Sequence, residues 1–172
     1  MTSFTVYAKI MPYESLVVYY GLMFSKGCGS MRMSTKGHYG LKAMFFLALH
    51  YGPDPIPLKN VAERQGLSEN YLEQLIATLR KSGLVKSVRG AQGGYILARD
   101  PSEIKVGDII RVLEGPIAPL ECVSEGVPSV CDQFDFCITR TVWEKVRDSI
   151  ADVLDSISLA DMCQDAEKAR KE

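Results

Sequence analysis

The chain has few of the residues and none of the motifs that common enzyme classes need. It has two histidines in 172 residues, which leaves little room for His-based catalysis. It contains no GxSxG, P-loop or HExxH pattern and no paired carboxylates in an apolar pocket pattern. We also find no internal repeat and no low-complexity segment. The sequence therefore predicts a protein that is not an enzyme.

No apolar run is long enough to span a bilayer. The stretch LVVYYGLMF (Leu16 to Phe24) is only nine residues long, and no small-residue cleavage pattern follows it. We therefore predict a cytoplasmic protein with no membrane partner. Thiols stay reduced in that compartment, so clustered cysteines indicate metal or redox chemistry more often than structural disulfides.

The net charge of −1 conceals a strong asymmetry along the chain. Residues 31–100 carry ten Lys and Arg against five Asp and Glu, whereas residues 101–172 carry eight against fifteen. A basic domain followed by an acidic segment is typical of nucleic-acid-binding proteins.

Apolar spacing predicts three helices after Ser34. The first is largely buried and ends before a Gly and Pro cluster, and the second, LKNVAERQGL, stops at Gly66. Ser68 is a good N-cap for the third helix, and Gly83 ends it. One face of the third helix carries Leu72, Leu75, Ile76 and Leu79. Two helices joined by a tight turn with Gly indicate a helix-turn-helix.

The following segments predict a wing and a dimerisation helix. Leu84, Val85 and Val88 form one short strand and Tyr95 to Leu97 another, with the glycine-rich turn RGAQGG between them. The segment VGDIIRVLEG is one more short helix. In TRTVWEKVRDSIADVLDSISL, apolar residues recur at spacings of three and four, and this unpartnered stripe favours a second chain. The stripe comprises Val142, Val146, Ile150, Val153, Leu154 and Ile157.

The expected fold is mainly α with a small β-hairpin: a winged helix-turn-helix domain plus a long C-terminal dimerisation helix. We expect a poorly packed extension over 1–30, the winged domain over 31–115 and a cysteine-rich loop over 116–138. The dimerisation helix and a short following helix are expected over 139–162, and a charged tail over 163–172.

The third helix and the wing carry the candidate DNA-binding residues. Between Arg80 and Arg99 there are five basic residues and no acid, and basic side chains on these two elements can neutralise phosphates. Asn, Gln and Glu side chains can read base edges, and glycines let the wing approach the DNA backbone. A solvated face on a protein-binding domain is the alternative. The candidates are Lys36, Ser68, Asn70, Tyr71, Glu73, Gln74, Arg80, Lys86, Arg89, Gly90 and Gly93.

Three stretches carry a resemblance to the Rrf2 family of bacterial transcription regulators, which includes IscR-like, NsrR-like and CymR-like proteins. They are MRMSTKGHYGLKAM, LSENYLEQLIATLRKSGLVKSVRGAQGGYIL and GDIIRVLEGPIAPLEC. The similarity covers about residues 31–162. It implies a homodimer held by the long C-terminal helix, with paired winged helices on a palindromic DNA operator.

Three of the five cysteines, Cys122, Cys131 and Cys137, lie within sixteen residues of one another. Thiolates hold iron–sulfur clusters and zinc. By the resemblance, these three are ligands of a [2Fe-2S] cluster, because cluster-binding members carry three cysteines at this place. The other interpretations are a zinc site, a thiol switch without metal, and cysteines with no sensory role.

The fourth ligand is left open. Arg140 stands where IscR-like proteins carry a histidine, and Tyr39 stands where NsrR-like proteins use an acid. Neighbouring His38 is the first candidate, and Asp132, Asp135 and Cys163 are others. The alternative function is a cluster-free CymR-like repressor of cysteine metabolism, which would answer to a metabolic enzyme partner.

Overall fold

The computed structural model describes residues 34–90, 92–126, 131 and 134–171. The predicted extension over 1–30, with Cys28, lies outside the described residues, as do Ala91 in the wing turn and the candidate ligand Asp132. No helix within the described ranges is long and apolar enough to cross a membrane.

Three helices, each with an identifiable start or stop, form the first half of the winged domain. Helix α1 spans Thr35–Leu49, α2 spans Leu58–Gln65 and α3 spans Glu69–Lys81. The Ser34 hydroxyl accepts a hydrogen bond from the Lys36 N–H, and the Ser68 hydroxyl accepts one from the Tyr71 N–H. Gly66 ends α2 with a φ of 64°, a left-handed conformation that glycine adopts without strain. The predicted helices and caps are confirmed.

The wing is a two-stranded antiparallel hairpin. Strand β1 spans Val85–Val88 and β2 spans Gly94–Leu97, with Val85 opposite Leu97. Ile56, which precedes α2, pairs with Tyr95 of β2 as an isolated antiparallel bridge. The Ile56 N–H donates to the Tyr95 carbonyl oxygen at 3.0 Å, and the Tyr95 N–H donates to the Ile56 carbonyl oxygen at 2.9 Å. A Cβ at Gly94 would overlap the Ile56 carbonyl group, so a glycine is needed where the backbone at Ile56 approaches β2.

The core lies between α1, α3, the hairpin and helix α4, which spans Val106–Glu114. The largest side chains that are almost completely buried include Met44, Leu72, Ile76, Leu79 and Ile109. Leu72, Ile76 and Leu79 belong to the predicted apolar face of α3, so burying that face turns the other face of α3 toward solvent.

Two helices complete the chain, α5 over Arg140–Ser156 and α6 over Leu159–Ala169. The segment 163–172, expected as a charged tail, continues α6 as far as Ala169. A capping box fixes the start of α6: Asp161 accepts bonds from the Ser158 N–H and hydroxyl group, and the Ser158 hydroxyl accepts from the Asp161 N–H. Met162 and Cys163 pack the helix against the core. Leu159 is completely buried, which fixes α6 on the winged domain. The fold class predicted from the sequence is confirmed.

Candidate nucleic-acid interface and cysteine loop

The first half of α3 presents four of the predicted DNA-reading residues to solvent: Ser68, Asn70, Glu73 and Gln74. Tyr71 differs from them, because it is half-buried against α1. Its hydroxyl donates to Thr35 Oγ1 at 3.4 Å, and its ring meets the Tyr39 ring edge-on at 6.3 Å. Tyr71 therefore connects α3 to the start of α1. The sequence analysis missed Thr35 and Tyr39 in this contact, because they lie more than thirty residues away along the chain.

The wing places its basic residues at the surface. Lys86, Arg89 and Gly90 are exposed, whereas Gly93 is half-buried. Gly90 has a φ of 133°, a conformation that other residues rarely adopt. A Cβ at Gly93 would lie 2.7 Å from the Val88 carbonyl oxygen, so the turn is too tight for a side chain there.

Arg80 joins α3 to the wing. Its Nη1 donates to Ser87 Oγ at 3.4 Å, and Arg80 remains exposed. Ser87 is a second positioning residue that the sequence analysis missed, since a serine in a short strand carries no signal of its own.

The start of α1 is held by a residue at the end of α4. Glu114 Oε1 accepts hydrogen bonds from Ser34 Oγ at 2.5 Å and from the Gly37 N–H at 2.6 Å. A carboxylate at a helix N-terminus satisfies unpaired amide groups and interacts favourably with the helix dipole. This contact orients exposed Lys36, the remaining predicted DNA-binding residue.

The predicted cysteine loop has two short 3-10 turns within its described residues, Glu121–Val123 and Phe134–Phe136. Cys122 lies in the first turn and is half-buried. Cys131 is exposed, and its carbonyl oxygen accepts from the Phe134 N–H at 3.0 Å. Cys137 directly follows the second turn. Within the described part of the chain, no three His, Cys, Asp or Glu side chains lie close enough together to hold a metal ion.

Two arginines of α5 contact the cysteine loop. The Arg140 guanidinium lies 3.7 Å from the Phe134 ring centroid and forms an ion pair with Glu144 at 2.9 Å. Arg147 Nη1 donates to the Val123 carbonyl oxygen at 2.9 Å. The loop therefore contacts α5 at two places, Val123 and Phe134.

The Cys137 thiol has a pKa below its ordinary value. The Thr139 hydroxyl, 3.3 Å from the Cys137 sulfur, is the main cause, and the backbone N–H groups of Arg140 and Thr139 add to it. Hydrogen bonds to the charged form favour the thiolate. The thiolate is also the form of cysteine that binds metals.

The structure separates the candidates for a fourth ligand. His38 is exposed on α1, with its ring 5.3 Å from that of Tyr39. Cys163 packs against the core, and burial, with a smaller effect of Glu167, raises the pKa of its thiol. A raised pKa disfavours the thiolate that a ligand needs, so the contacts of Cys163 fit packing better. The Asp135 side chain lies outside the described residues.

Helix α5 leaves part of its apolar stripe uncovered in the single chain, whereas Val146, Ile150 and Leu154 are half-buried. It has no fully buried residue, and Val142 and Val153 are 56% and 58% exposed. Trp143 and Ile157 are also exposed. Val142, Val146 and Ile150 line a groove with Lys145 and Ser149. A stripe of this kind in water favours a covering surface.

Residues 33–165 match a family described as iron-dependent transcriptional regulators, the Rrf2 family. The chain belongs to the Rrf2 family. Its membership confirms that the protein is a transcription regulator of winged-helix fold and not an enzyme.

Proteins named CymR and proteins named IscR are both among the relatives of this chain. CymR of Bacillus subtilis is 48% identical over 132 residues, which are 77% of this chain and 89% of that protein. A solved structure of T. potens IscR is 63% identical, with a TM-score of 0.67, over 81% of this chain and 90% of that one. The oxidized form of Staphylococcus aureus CymR is 43% identical, with a TM-score of 0.61, over 77% of this chain and 96% of that one.

The three thiols of the cysteine loop are chemically suited to an iron–sulfur cluster, but they are one ligand too few for it. Three thiols, one of them with a lowered pKa, are the donors that such clusters use. A cluster with four protein ligands needs one more donor. Arg140 cannot supply it, because its guanidinium stays protonated and is paired with Glu144.

Proposed function

We propose that this Rrf2 regulator is a homodimer that binds a palindromic DNA operator through α3 and the wing. The observation that carries the proposal is the exposed surface formed by the first half of α3, the hairpin and the start of α1. On it, polar side chains of α3 would read base edges in the major groove, while Lys36, Arg80, Lys86 and Arg89 would contact phosphates. Gly90 and Gly93 would let the wing approach the DNA backbone closely.

The α5 stripe supports the dimer. Val142 and Val153 are more than half exposed in one chain, although they belong to a regular apolar repeat. Pairing with the same stripe of a second copy would remove this surface from water and place the two winged domains on one duplex.

We further propose that Cys122, Cys131 and Cys137 hold a [2Fe-2S] cluster, with His38 of the partner subunit as the first candidate for the fourth ligand. When bound, the cluster supplies redox and iron sensitivity. The chain's own contribution is to hold the loop: Arg147 fixes the backbone at Val123, and Arg140 packs on Phe134. Both arginines belong to α5, so a change in the order of the loop would act on the helix that forms the proposed dimer interface.

A cluster-free repressor is the second candidate function. The similarity to CymR of Bacillus subtilis favours it, and so does the existence of an oxidized form of the Staphylococcus aureus protein. In that case the loop thiols would respond to redox state directly, or a metabolic enzyme would bind the regulator.

The two candidates differ in iron content. The protein is purified without oxygen, and its visible spectrum, iron and acid-labile sulfide are measured. The cluster proposal predicts a coloured protein with about two irons and two sulfides per chain. Cys137→Ser should lose most of the iron, whereas Cys163→Ser, the matched control outside the loop, should keep it. A colourless protein without iron, even after reconstitution, would favour the cluster-free repressor.

A further inference from the structure

One two-point ion pair connects the winged domain to α5. Arg111, on α4, donates from Nη1 to Asp155 Oδ1 and from Nη2 to Asp155 Oδ2, each at 2.7 Å. The two residues are 44 positions apart in the chain. Two parallel bonds between a guanidinium and a carboxylate fix direction as well as distance, which a single contact does not.

The neighbouring backbone of α4 is shaped for this ion pair. Gly107 lies where the Asp155 carboxylate crosses α4, and a Cβ there would overlap Asp155 Oδ1. The same Cβ would lie 2.7 Å from Arg111 Nη1. A side chain at this position would therefore displace the Asp155 carboxylate from Arg111 and disturb the ion pair.

A backbone connection next to the ion pair holds the junction between α5 and α6. The Val106 N–H donates to the Ile157 carbonyl oxygen at 2.9 Å, and the Leu159 N–H donates to the Ile104 carbonyl oxygen at 3.0 Å. Ser158, between them, is 3% exposed. The C-terminal end of α5 is therefore attached to the winged domain at three adjacent places.

The attachment at the other end of α5 is of a different kind. There, Arg140 in the first turn and Arg147 near the middle of the helix contact the cysteine loop. The direction of α5 relative to α3 is thus set near Asp155, while the loop acts on the first half of the helix.

We propose that Arg111, Asp155 and Gly107 determine which spacing between two DNA half-sites the dimer accepts. This inference rests on the proposed dimer on a palindromic operator. In such a dimer the distance between the two α3 helices follows from the direction in which each winged domain leaves α5. Half-sites are read about one helical turn, or a multiple of it, apart. A fixed direction makes the dimer selective for one spacing, and a loosened direction lets it accept neighbouring spacings.

The test is a set of operators that differ only in half-site spacing. A binding sequence is first selected from random DNA with the full-length wild-type protein. Versions with one or two base pairs added or removed between the half-sites are then titrated by fluorescence anisotropy at one fixed salt concentration. The variants are Asp155→Asn, which keeps the shape of the carboxylate, and Gly107→Ala, which displaces the Asp155 carboxylate from Arg111 without changing charge. The control is Asp165→Asn, which removes an exposed carboxylate paired with Lys168 on α6.

We expect wild-type protein and the Asp165→Asn control to share one sharp spacing preference. Asp155→Asn should lower the ratio between the affinity for the best spacing and the affinity for neighbouring spacings by about two- to five-fold per protomer. The change is modest because the ion pair is partly exposed to solvent. Gly107→Ala should change the preference in the same direction. Circular dichroism and sedimentation are measured on each variant, and Arg111→Lys replaces any variant that does not fold as a dimer.

The outcomes separate this inference from the proposed function. If folded, dimeric Asp155→Asn and Gly107→Ala keep the wild-type preference, the inference is wrong and the operator proposal stands. If the wild-type protein binds DNA without any spacing preference, the inference is also overturned. If the wild-type protein selects no DNA at all, the proposed operator function fails, and the spacing role fails with it.

Discussion

Glu114, Asp155 and Arg147 hold the functional regions of this regulator through contacts with residues far away in the sequence. Glu114 caps α1, Asp155 pairs with Arg111 across helices, and Arg147 holds the cysteine loop at Val123. The sequence does not predict these roles, because a charged residue on an amphipathic helix is usually interpreted as part of a solvent-exposed face. The N-cap Ser68 was predicted from the sequence, because its partner lies only three residues away. Ser34 was recognised only as the start of the helical pattern, and its cap bond to the Lys36 N–H is seen in the structure.

Asp161 provides a pH-dependent test at this scale. Hydrogen bonds from the Ser158 hydroxyl and N–H lower the pKa of the Asp161 carboxyl below its ordinary value of 3.8. The ionised carboxylate therefore stabilises the folded state at all pH values above about 3.8, and this stabilisation is lost as the pH falls through the lowered pKa.

Asp161→Asn should therefore lower the Tm at pH 7, and the difference from wild type should shrink as the pH falls through the lowered pKa. Thermal unfolding followed by circular dichroism measures this. Asp152→Asn, an exposed carboxylate on α5, controls for the loss of one negative charge. A Tm difference between wild type and Asp161→Asn that stays constant down to low pH would contradict the role of the capping box.

At the scale of elements, local patterns predicted which segments form helices and strands. They did not predict how closely those helices and strands approach one another. Helices α1 to α5 and the hairpin follow from apolar spacing, N-caps and glycine stops. The length of α6 was underestimated, since its second half reads as a charged tail. Its packing against the core through Cys163 becomes visible only in three dimensions.

The crossing of α1 and α4 gives a prediction of this kind. A Cβ at Gly40 would overlap the Leu113 side chain on α4. Gly40→Ala should therefore lower the free energy of unfolding by about 1–3 kcal/mol, although alanine favours a helix more than glycine does. Urea denaturation measures the change.

Leu113→Ala provides the matched partner for that experiment. The double variant Gly40→Ala, Leu113→Ala should be more stable than the sum of the two single changes predicts, because the added methyl group then occupies the space that Leu113 leaves. Strictly additive effects would mean that the two residues do not limit the approach of α1 to α4.

At the scale of the whole molecule, the basic half of the chain and the acidic half have separate roles in the proposed regulator. Charge asymmetry and the RGAQGG turn predicted a DNA-binding half from the sequence alone. The three cysteines predicted a sensing segment, but in the proposed cluster the fourth ligand would come from a second chain. No single-chain pattern can provide the distance from the cysteines to that ligand.

Binding of operator DNA should depend steeply on salt. Each lost phosphate contact lowers the slope of log affinity against log salt by about one. Lys86→Ala in the wing should show this change, whereas Lys59→Ala on α2, a 68% exposed lysine paired with Glu63, should not. Anisotropy titrations over a range of salt concentrations measure the slope, and an unchanged slope for Lys86→Ala would remove the wing from the DNA interface.

In the proposed regulator the state of the cysteine loop controls DNA binding, and a comparison of two forms of the protein tests this directly. Operator affinity is measured for cluster-loaded and cluster-free protein at one fixed salt concentration, on several selected operators. We expect the operator affinities of the two forms to differ by about five- to 150-fold on at least one operator, the usual range for coupling between two sites. Equal affinities on every operator would contradict it.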